Sequence, residues 1–431
     1  MNQGRRTVLG WALLGALEPV WAAAPGGGSS QAGLDRALAA IAADPACELA
    51  SLSALAIRGG ELAYEGAFGR RRIGNGAMAD LPATPDTLYR IASVSKLMTT
   101  LGLMRLVEAG KFELDADVSA YLGFTLRNPH FPGRAITLRH LLTHTSSLRD
   151  EAGYSFPAGT SLRSVLVPGA PATYAKQAGP GDWFTYCNLG WGLIGTMMER
   201  ATGERFDRLM RRLLLGPLGL DAGYNPAELP PAALANLATL YRKRTIDTEV
   251  WNADGPWIAQ ADDVRPPAPP PGLANYVTGE NATPFSPTGG LRISARGLGV
   301  VMRMLMDGGV HERKRILQAA TLERIFARQW TANGSNGDTM NGFFNAWGLG
   351  NAQFPDQPGM RLVEGFDAVG HLGDAYGLRS VFAFDRKRRN GLVVLVGGTS
   401  SDPGTRKGRY SALASFEENI LTSMFQHAVA S

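Results

Sequence analysis

Two cysteines in a chain of 431 residues cannot build a disulfide scaffold or a cysteine-ligated zinc site. Charge is scarce as well: Asp, Glu, Lys and Arg make up 19% of the chain, against roughly 25% in an average soluble protein. The formal net charge of +5 is scattered, whereas a dedicated nucleic-acid binder gathers Lys and Arg on one element. No apolar run approaches the roughly 18 residues that a spanning helix requires, which excludes a channel or transporter. What the chain has is apolar surface, at 45% of residues, enough to offset the ordering entropy that keeps polar chains disordered. Gly (53) and Pro (26) are frequent enough to promise many turns and close backbone approaches. At roughly 150 residues per domain the length suggests about three domains.

The N-terminus reads Arg5-Arg6-Thr7-Val8-Leu9, then an apolar stretch through Leu17, then Val20-Trp21-Ala22-Ala23-Ala24-Pro25. A basic region, a short apolar region and a small-residue cleavage site are the three parts of an export signal. The paired arginines are similar to a twin-arginine signal. Residues 1–22 are therefore expected to be a signal cleaved after Ala22, and the mature chain to be periplasmic or secreted. An uncleaved membrane anchor is the alternative, but an apolar region of about ten residues spans poorly. Residues 23–30 read as a flexible lead. In an oxidising compartment Cys47 and Cys187 could pair, or both could be buried free thiols.

Along the chain, helical periodicity marks residues 31–44, and two strand-like runs, 50–58 and 61–68, flank Gly59-Gly60 as a hairpin. Ser93 to Glu108 carries Leu97, Met98, Leu101 and Met104 on one helical face, with Gly110 just past its end. Leu103 and Leu106 lie off that face, as in a largely buried helix. Further helices are expected at 137–144, 189–201, 206–215 and 298–306. Strands return at 346–354, 377–384 and 392–396, and a helix near 412–427 closes the chain. Strands that bracket a helical block come together in space, so the termini and the middle should form two lobes of one unit. The proline-rich stretch 265–272 is neither helix nor central strand, and reads as a stiff surface excursion rather than a docking motif.

Ser93-Val94-Ser95-Lys96 places a hydroxyl and an ammonium one helical turn apart on one face. A serine hydroxyl is a poor nucleophile until a neighbouring base takes its proton. A lysine near a helix N-terminus is pushed toward its neutral, basic form by the helix dipole and by burial. By itself S-x-x-K is a weak signal, met by chance as an N-cap serine beside a solvated lysine. Two elements further along the chain strengthen it. Tyr186-Cys187-Asn188 stands at a loop-to-helix junction, and His371-Leu372-Gly373 leads towards a strand. The tyrosine can move a proton if nearby cations acidify it, the asparagine can hold the lysine and a carbonyl, and the glycine leaves strand backbone open to a substrate.

Ser-x-x-Lys, Tyr-x-Asn and His-x-Gly in this order resemble the serine β-lactamase and penicillin-binding protein superfamily, and within it the branch of class C β-lactamases, D-aminopeptidases and related esterases. The stretches 89–93, 141–146, 287–290 and 370–373 fit the same pattern, and the resemblance covers about residues 31–425. It implies an α/β fold of the α+β type: an antiparallel sheet flanked by helices, plus an all-helical lobe. One catalytic domain would span 31–427, with an α/β lobe from about 31–90 and 340–427 and a helical lobe from about 91–339. The resemblance also implies a serine hydrolase. Ser93 would form an acyl-enzyme, Lys96 and Tyr186 would share the base and acid roles, and Asn188 would orient Lys96 and substrate. His371 and Gly373 would line the substrate strand, and the N–H groups of Ser93 and Asp374 would form an oxyanion hole, each worth about 3 kcal/mol. No metal or organic cofactor is implied. The expected partner is a small ester, amide or peptide, not nucleic acid.

Three positions depart from the family pattern. His371 stands where β-lactamases carry Lys, and a neutral histidine holds a carboxylate poorly above a pKa of about 6.5. That favours ester or amide hydrolysis, with D-amino-acid peptides among the candidates, over a β-lactamase or a slowly acylated penicillin-binding sensor, which is the alternative. Cys187 replaces a Ser, and Ser147 replaces a Gly at small expected cost. Elsewhere, His140 and His144 have a zinc-like spacing but lack the Glu of H-E-x-x-H, and are expected to support the site structurally. Asp374 and Tyr376 touch substrate or shape a turn, and Asp182 and Trp183 line the cleft or pack. The basic run 385–390 reads as a hairpin turn, and Val300–Met306 as core.

Overall fold

The strand Ser51–Arg58 (β1) alternates between two cores: Leu52, Ala54 and Ala56 face one, Leu55 and Ile57 the other. The strand Asn390–Val396 (β5) does the same with Leu392, Val394 and Val396 against Val393 and Leu395. A sheet covered on both faces explains why these strands read as nearly unbroken apolar runs. The computed structural model describes residues 28–430 except 75, 77, 78, 168–172 and 245–248. The expected signal, 1–22, and residues 23–27 of the lead lie outside the described residues.

The first helix, α1 (Gly28–Ala42), begins three residues before its expected start. It is followed by β1 and β2 (Glu61–Arg72), a hairpin as expected. Among the described residues the central sheet has nine strands, all paired antiparallel. Its order is 330–331, 346–347, 352–354, β3 (Ala368–Ala375), β4 (Leu378–Asp385), β5, β1, β2 and 81–82. The run 346–354, expected as one strand, is a hairpin of two short strands. Gly350 turns it with φ +66°, and Gly348 N–H donates to Asn351 O. One sheet face is covered by α1, through Leu34 and Leu38, and by the closing helix α5 (Ser415–Met424), through Phe416, Ile420 and Leu421.

The other face carries α4 (Ala295–Met306), which lies on β1 and β5. Gly299 and Gly391 make that approach possible: a Cβ at Gly299 would sit 2.9 Å from Leu55, and one at Gly391 2.1 Å from Met302 Sδ. So α4 and the edge strand 330–331 belong with the sheet although both fall in the 91–339 block. The remaining middle of the chain forms the helical lobe, centred on α2 (Val94–Glu108) and α3 (Leu189–Thr202). It also holds short strands, 240–242 and 258–261. Helix α2 is buried on every side from Val94 to Met104, because it runs between β3 and α3. Of Val300–Met306, expected as core, Val301, Met302, Met304 and Leu305 are buried, Val300 and Met306 are partly buried, and Arg303 lies on the outer side near Glu61. The basic run closes the β4–β5 hairpin, where Asp385 Oδ1 accepts from the N–H groups of Lys387 and Arg388.

Leu38 is fully buried between α1, α5 and the sheet. Leu38→Ala is expected to lower the unfolding free energy by about 2–5 kcal/mol, seen as a lower urea midpoint at unchanged slope.

Candidate active site

Ser93 stands at the N-terminus of α2, immediately after a left-handed residue, Ala92 (φ 47°). A non-glycine residue in that region is strained and must be held by its surroundings. Ile91 N–H donates to Leu291 O at 2.9 Å, and Ser380 Oγ donates to Ile91 O at 3.0 Å. Strand β3 passes directly against this turn at Gly373. A Cβ there would lie 2.3 Å from Ser380 Oγ, 2.7 Å from Ile91 O and 3.2 Å from Ala92 Cβ, so only glycine fits. Beyond Gly370 the strand 352–354 no longer pairs with β3. The edge from Leu372 to Ala375 is therefore open, and it forms one wall of a cavity of about 450 Å³ onto which Ser93 opens. The Ser93 N–H has no acceptor among the described residues.

Lys96 is fully buried, and its Nζ donates to three oxygens: Ser93 Oγ at 3.0 Å, Asn188 Oδ1 at 2.8 Å and Thr288 O at 3.1 Å. Burial pushes its pKa down to about 7, while the Asp150 charge and then Cys187 pull it back up. Asn188 Oδ1 also accepts from Thr288 Oγ1 at 2.8 Å. Its amide is oriented by Asp150, a residue that no sequence motif marks. Asp150 Oδ2 accepts from Asn188 Nδ2 at 2.9 Å and from Asn188 N at 2.7 Å; Oδ1 accepts from Leu189 N at 2.9 Å and from Cys187 Sγ at 3.3 Å. One carboxylate thus caps α3 and fixes which end of the Asn188 amide meets Lys96.

The Tyr186 ring is stacked between His144 and Phe344, with centroids 4.3 and 5.0 Å away, and Lys96 Nζ lies 4.8 Å from its centroid. Among the described residues its buried hydroxyl finds no hydrogen-bond partner of normal geometry. Burial raises its pKa, even though the nearby Ser93 acts in the opposite direction, so it is a protonated phenol near neutral pH. His371 is fully buried. Its Nδ1 lies 2.6 Å from Leu372 O and must donate there, which leaves Nε2 as a bare acceptor. Burial, then Lys96, push His371 down to about 3, so it is neutral.

The seven residues expected to carry catalysis or hold substrate meet here: Ser93, Lys96, Tyr186, Asn188 and His371 cluster, and Gly373 and Asp374 line the cavity. The Asp374 carboxylate is held by Arg379. Tyr376 also lines the cavity, whereas Asp182 does not: it pairs with Arg134 at the surface, and Trp183 is half-buried outside the cavity. His144 is not on the helix expected at 137–144, which is only Leu138–Leu142. It is left-handed (φ 57°), and its Nδ1 accepts from Cys187 N at 2.9 Å, tying down the Tyr186 segment. His140 Nδ1 accepts from Thr137 N as part of that helix's N-cap. Ser147, where the family has Gly, is left-handed (φ 65°), so the change costs more than the sequence suggested; Asn128 Nδ2 donates to its Oγ. Cys47 and Cys187 are both free and buried.

Fold and site together define a protein with a serine–lysine–tyrosine cluster, its lysine fully buried, seated between an antiparallel sheet and a helical lobe. The family described as Beta-lactamase matches residues 34–415, and the chain belongs to it. Among curated relatives it is similar to the D-alanyl-D-alanine-carboxypeptidase/endopeptidase AmpH of Escherichia coli K12, with 33% identity over 37% of this chain and 42% of AmpH. It is also similar to the esterase EstB of Burkholderia gladioli, with 33% identity over 41% of this chain and 47% of EstB. The aligned stretch spans less than half of either relative. Two solved structures share the fold at a TM-score of 0.63. One is the octameric penicillin-binding protein homologue of Pyrococcus abyssi, at 21% identity over 91% of this chain and 78% of that one. The other is the D-amino acid amidase of Ochrobactrum anthropi SV3, at 19% identity over 91% and 99%.

Because the Asp150 carboxylate raises the Lys96 pKa, Asp150→Asn is expected to move the acid limb of Ser93 labelling by a fluorophosphonate probe to lower pH. The same change should slow labelling at the plateau, since the Asn188 amide loses its orientation.

Proposed function

We propose that the protein is a serine hydrolase that cleaves an ester or amide bond through an acyl-Ser93 intermediate. The observation that carries this reading is the contact of 3.0 Å between Ser93 Oγ and a lysine whose pKa lies near 7. A neutral amine at that distance can take the hydroxyl proton as Oγ attacks a carbonyl. Above pH 7 most Lys96 is in this form, whereas an ordinary lysine would be almost wholly protonated. Tyr186, kept protonated by burial, suits donation to the leaving group rather than action as a phenolate base. The Ser93 N–H and the open β3 edge at Asp374 are the donors for the tetrahedral oxyanion. Water then releases the acid and restores Ser93.

Two further points bear on substrate and compartment. His371 is neutral and so is not itself a cation for a substrate carboxylate, and we favour esters, amides or D-amino-acid peptides as substrates. The names of relatives such as AmpH and EstB agree with that range. From the Arg5-Arg6 signal we also propose that the mature chain is exported.

Ser93→Ala is expected to abolish hydrolysis of 4-nitrophenyl esters, D-amino-acid amides and nitrocefin alike; full activity in that variant would sink the mechanism. In the wild type, kcat/KM should be lost as pH falls through about 7 and be retained above it, following Lys96. Intact-mass measurement should show product release without a lasting adduct, whereas a stable single adduct would identify a sensor instead. His371→Lys should displace the pH profile by adding a titrating cation beside Tyr186. An unchanged profile would leave His371 only a packing role.

A further inference from the structure

Arg90 stands three residues before Ser93, in a two-residue strand paired with 292–293. Its side chain lines the same cavity as Ser93. Its Nε donates to Gly289 O at 3.2 Å, and among the described residues the guanidinium makes no other hydrogen bond and no ion pair. A carboxylate does lie nearby, but it is already taken. The buried Asp262 accepts from Arg292 Nε at 3.0 Å and Arg292 Nη2 at 2.7 Å, one on each oxygen. The second arginine of the cavity, Arg379, is held by Asp374 and Glu417. Among the described residues, Arg90 is therefore the cavity-lining arginine without an ion pair.

The surroundings aim that group at a ligand. The Tyr376 ring covers one face of the guanidinium at 4.6 Å, and Tyr376 directly follows the open β3 edge. Tyr154 lines the same cavity, so two tyrosines and Arg90 make a polar part of its wall, while Met340, Phe343, Phe344 and Leu413 make an apolar part. Removing a guanidinium from water without a counter-charge is unfavourable, and its planar fork matches a carboxylate at two points. Burial lowers Arg90 only to about 10, so it is charged at neutral pH.

We propose that Arg90 is the anion-recognising residue of this site, and that the substrates handled best are esters or amides carrying a carboxylate on the acyl or the leaving-group side. This rests on the acyl-transfer reading of Ser93 and deepens it.

Two matched pairs test the proposal and separate the sides. The acyl pair is 4-nitrophenyl hydrogen glutarate against 4-nitrophenyl valerate. The leaving-group pair is 4-carboxyphenyl butyrate against its methyl ester. In the wild type at least one pair should favour the anion by about tenfold in kcat/KM, roughly the worth of one charge-assisted contact. Arg90→Gln should erase that preference and Arg90→Lys should keep part of it. No preference in either pair, or a preference that survives Arg90→Gln, overturns the proposal. Should Arg90→Gln fail to fold, calorimetry on the wild type decides: glutarate must bind more tightly than glutaramide, and equal binding overturns the assignment. Inert neutral esters with no adduct on Ser93 would count against the hydrolase reading instead, while glutarate binding, which needs no turnover, still judges Arg90.

Discussion

The amine of Lys96 is the constraint around which the molecule is arranged. It is enclosed completely, and its three acceptors come from the start of its own helix and from two segments distant in the chain, the start of α3 and the loop at Thr288. Enclosure without acceptors would be prohibitive, and acceptors without enclosure would leave an ordinary lysine. Both conditions require α2 to run through the middle of the protein with the helical lobe on one side and the sheet on the other. The strained backbone at Ala92 and the glycine at 373 follow from the same demand, because strand and helix terminus must almost touch.

Positioning around this amine is hierarchical. Asp150 orders Asn188, Asn188 and Thr288 order Lys96, and Lys96 reaches Ser93. His144 performs a parallel task for the tyrosine segment by accepting the Cys187 N–H. A carboxylate at the N-terminus of α3 is electrostatically at ease there, which lets it stay close to Lys96 without being spent on a salt bridge. The cavity contrasts with this closed network. Its wall is part apolar and part polar, and it includes Arg90, which has no ion pair among the described residues.

Much of this was legible in the residues. Helix α2 with its Gly110 stop and the β1–β2 hairpin followed from periodicity and turn residues, and the seven residues named by the motifs and the family resemblance lie close together. What escaped had weak local signals. The run 346–354 looks like one strand because Trp347, Leu349 and Phe354 are apolar; only the left-handed Gly350 makes it a hairpin. His144 fits a helical spacing, but the helix has already ended at Leu142. Asp150 lies in a loop without pattern, and its role depends on Asn188, 38 residues away.

The sequence by itself determined the chemical inventory and its order: a serine one turn ahead of a lysine, then a tyrosine, an asparagine and a histidine. Those follow from local rules, since helical spacing and strand alternation are properties of neighbours along the chain. Only the tertiary structure decided protonation and charge balance. Burial brings Lys96 down to about 7, leaves His371 neutral and keeps the proton on Tyr186. Among the described residues Arg90 has no ion pair, while Asp262 pairs with Arg292. Each outcome depends on solvent exclusion and on partners far apart in the chain, and local sequence encodes neither.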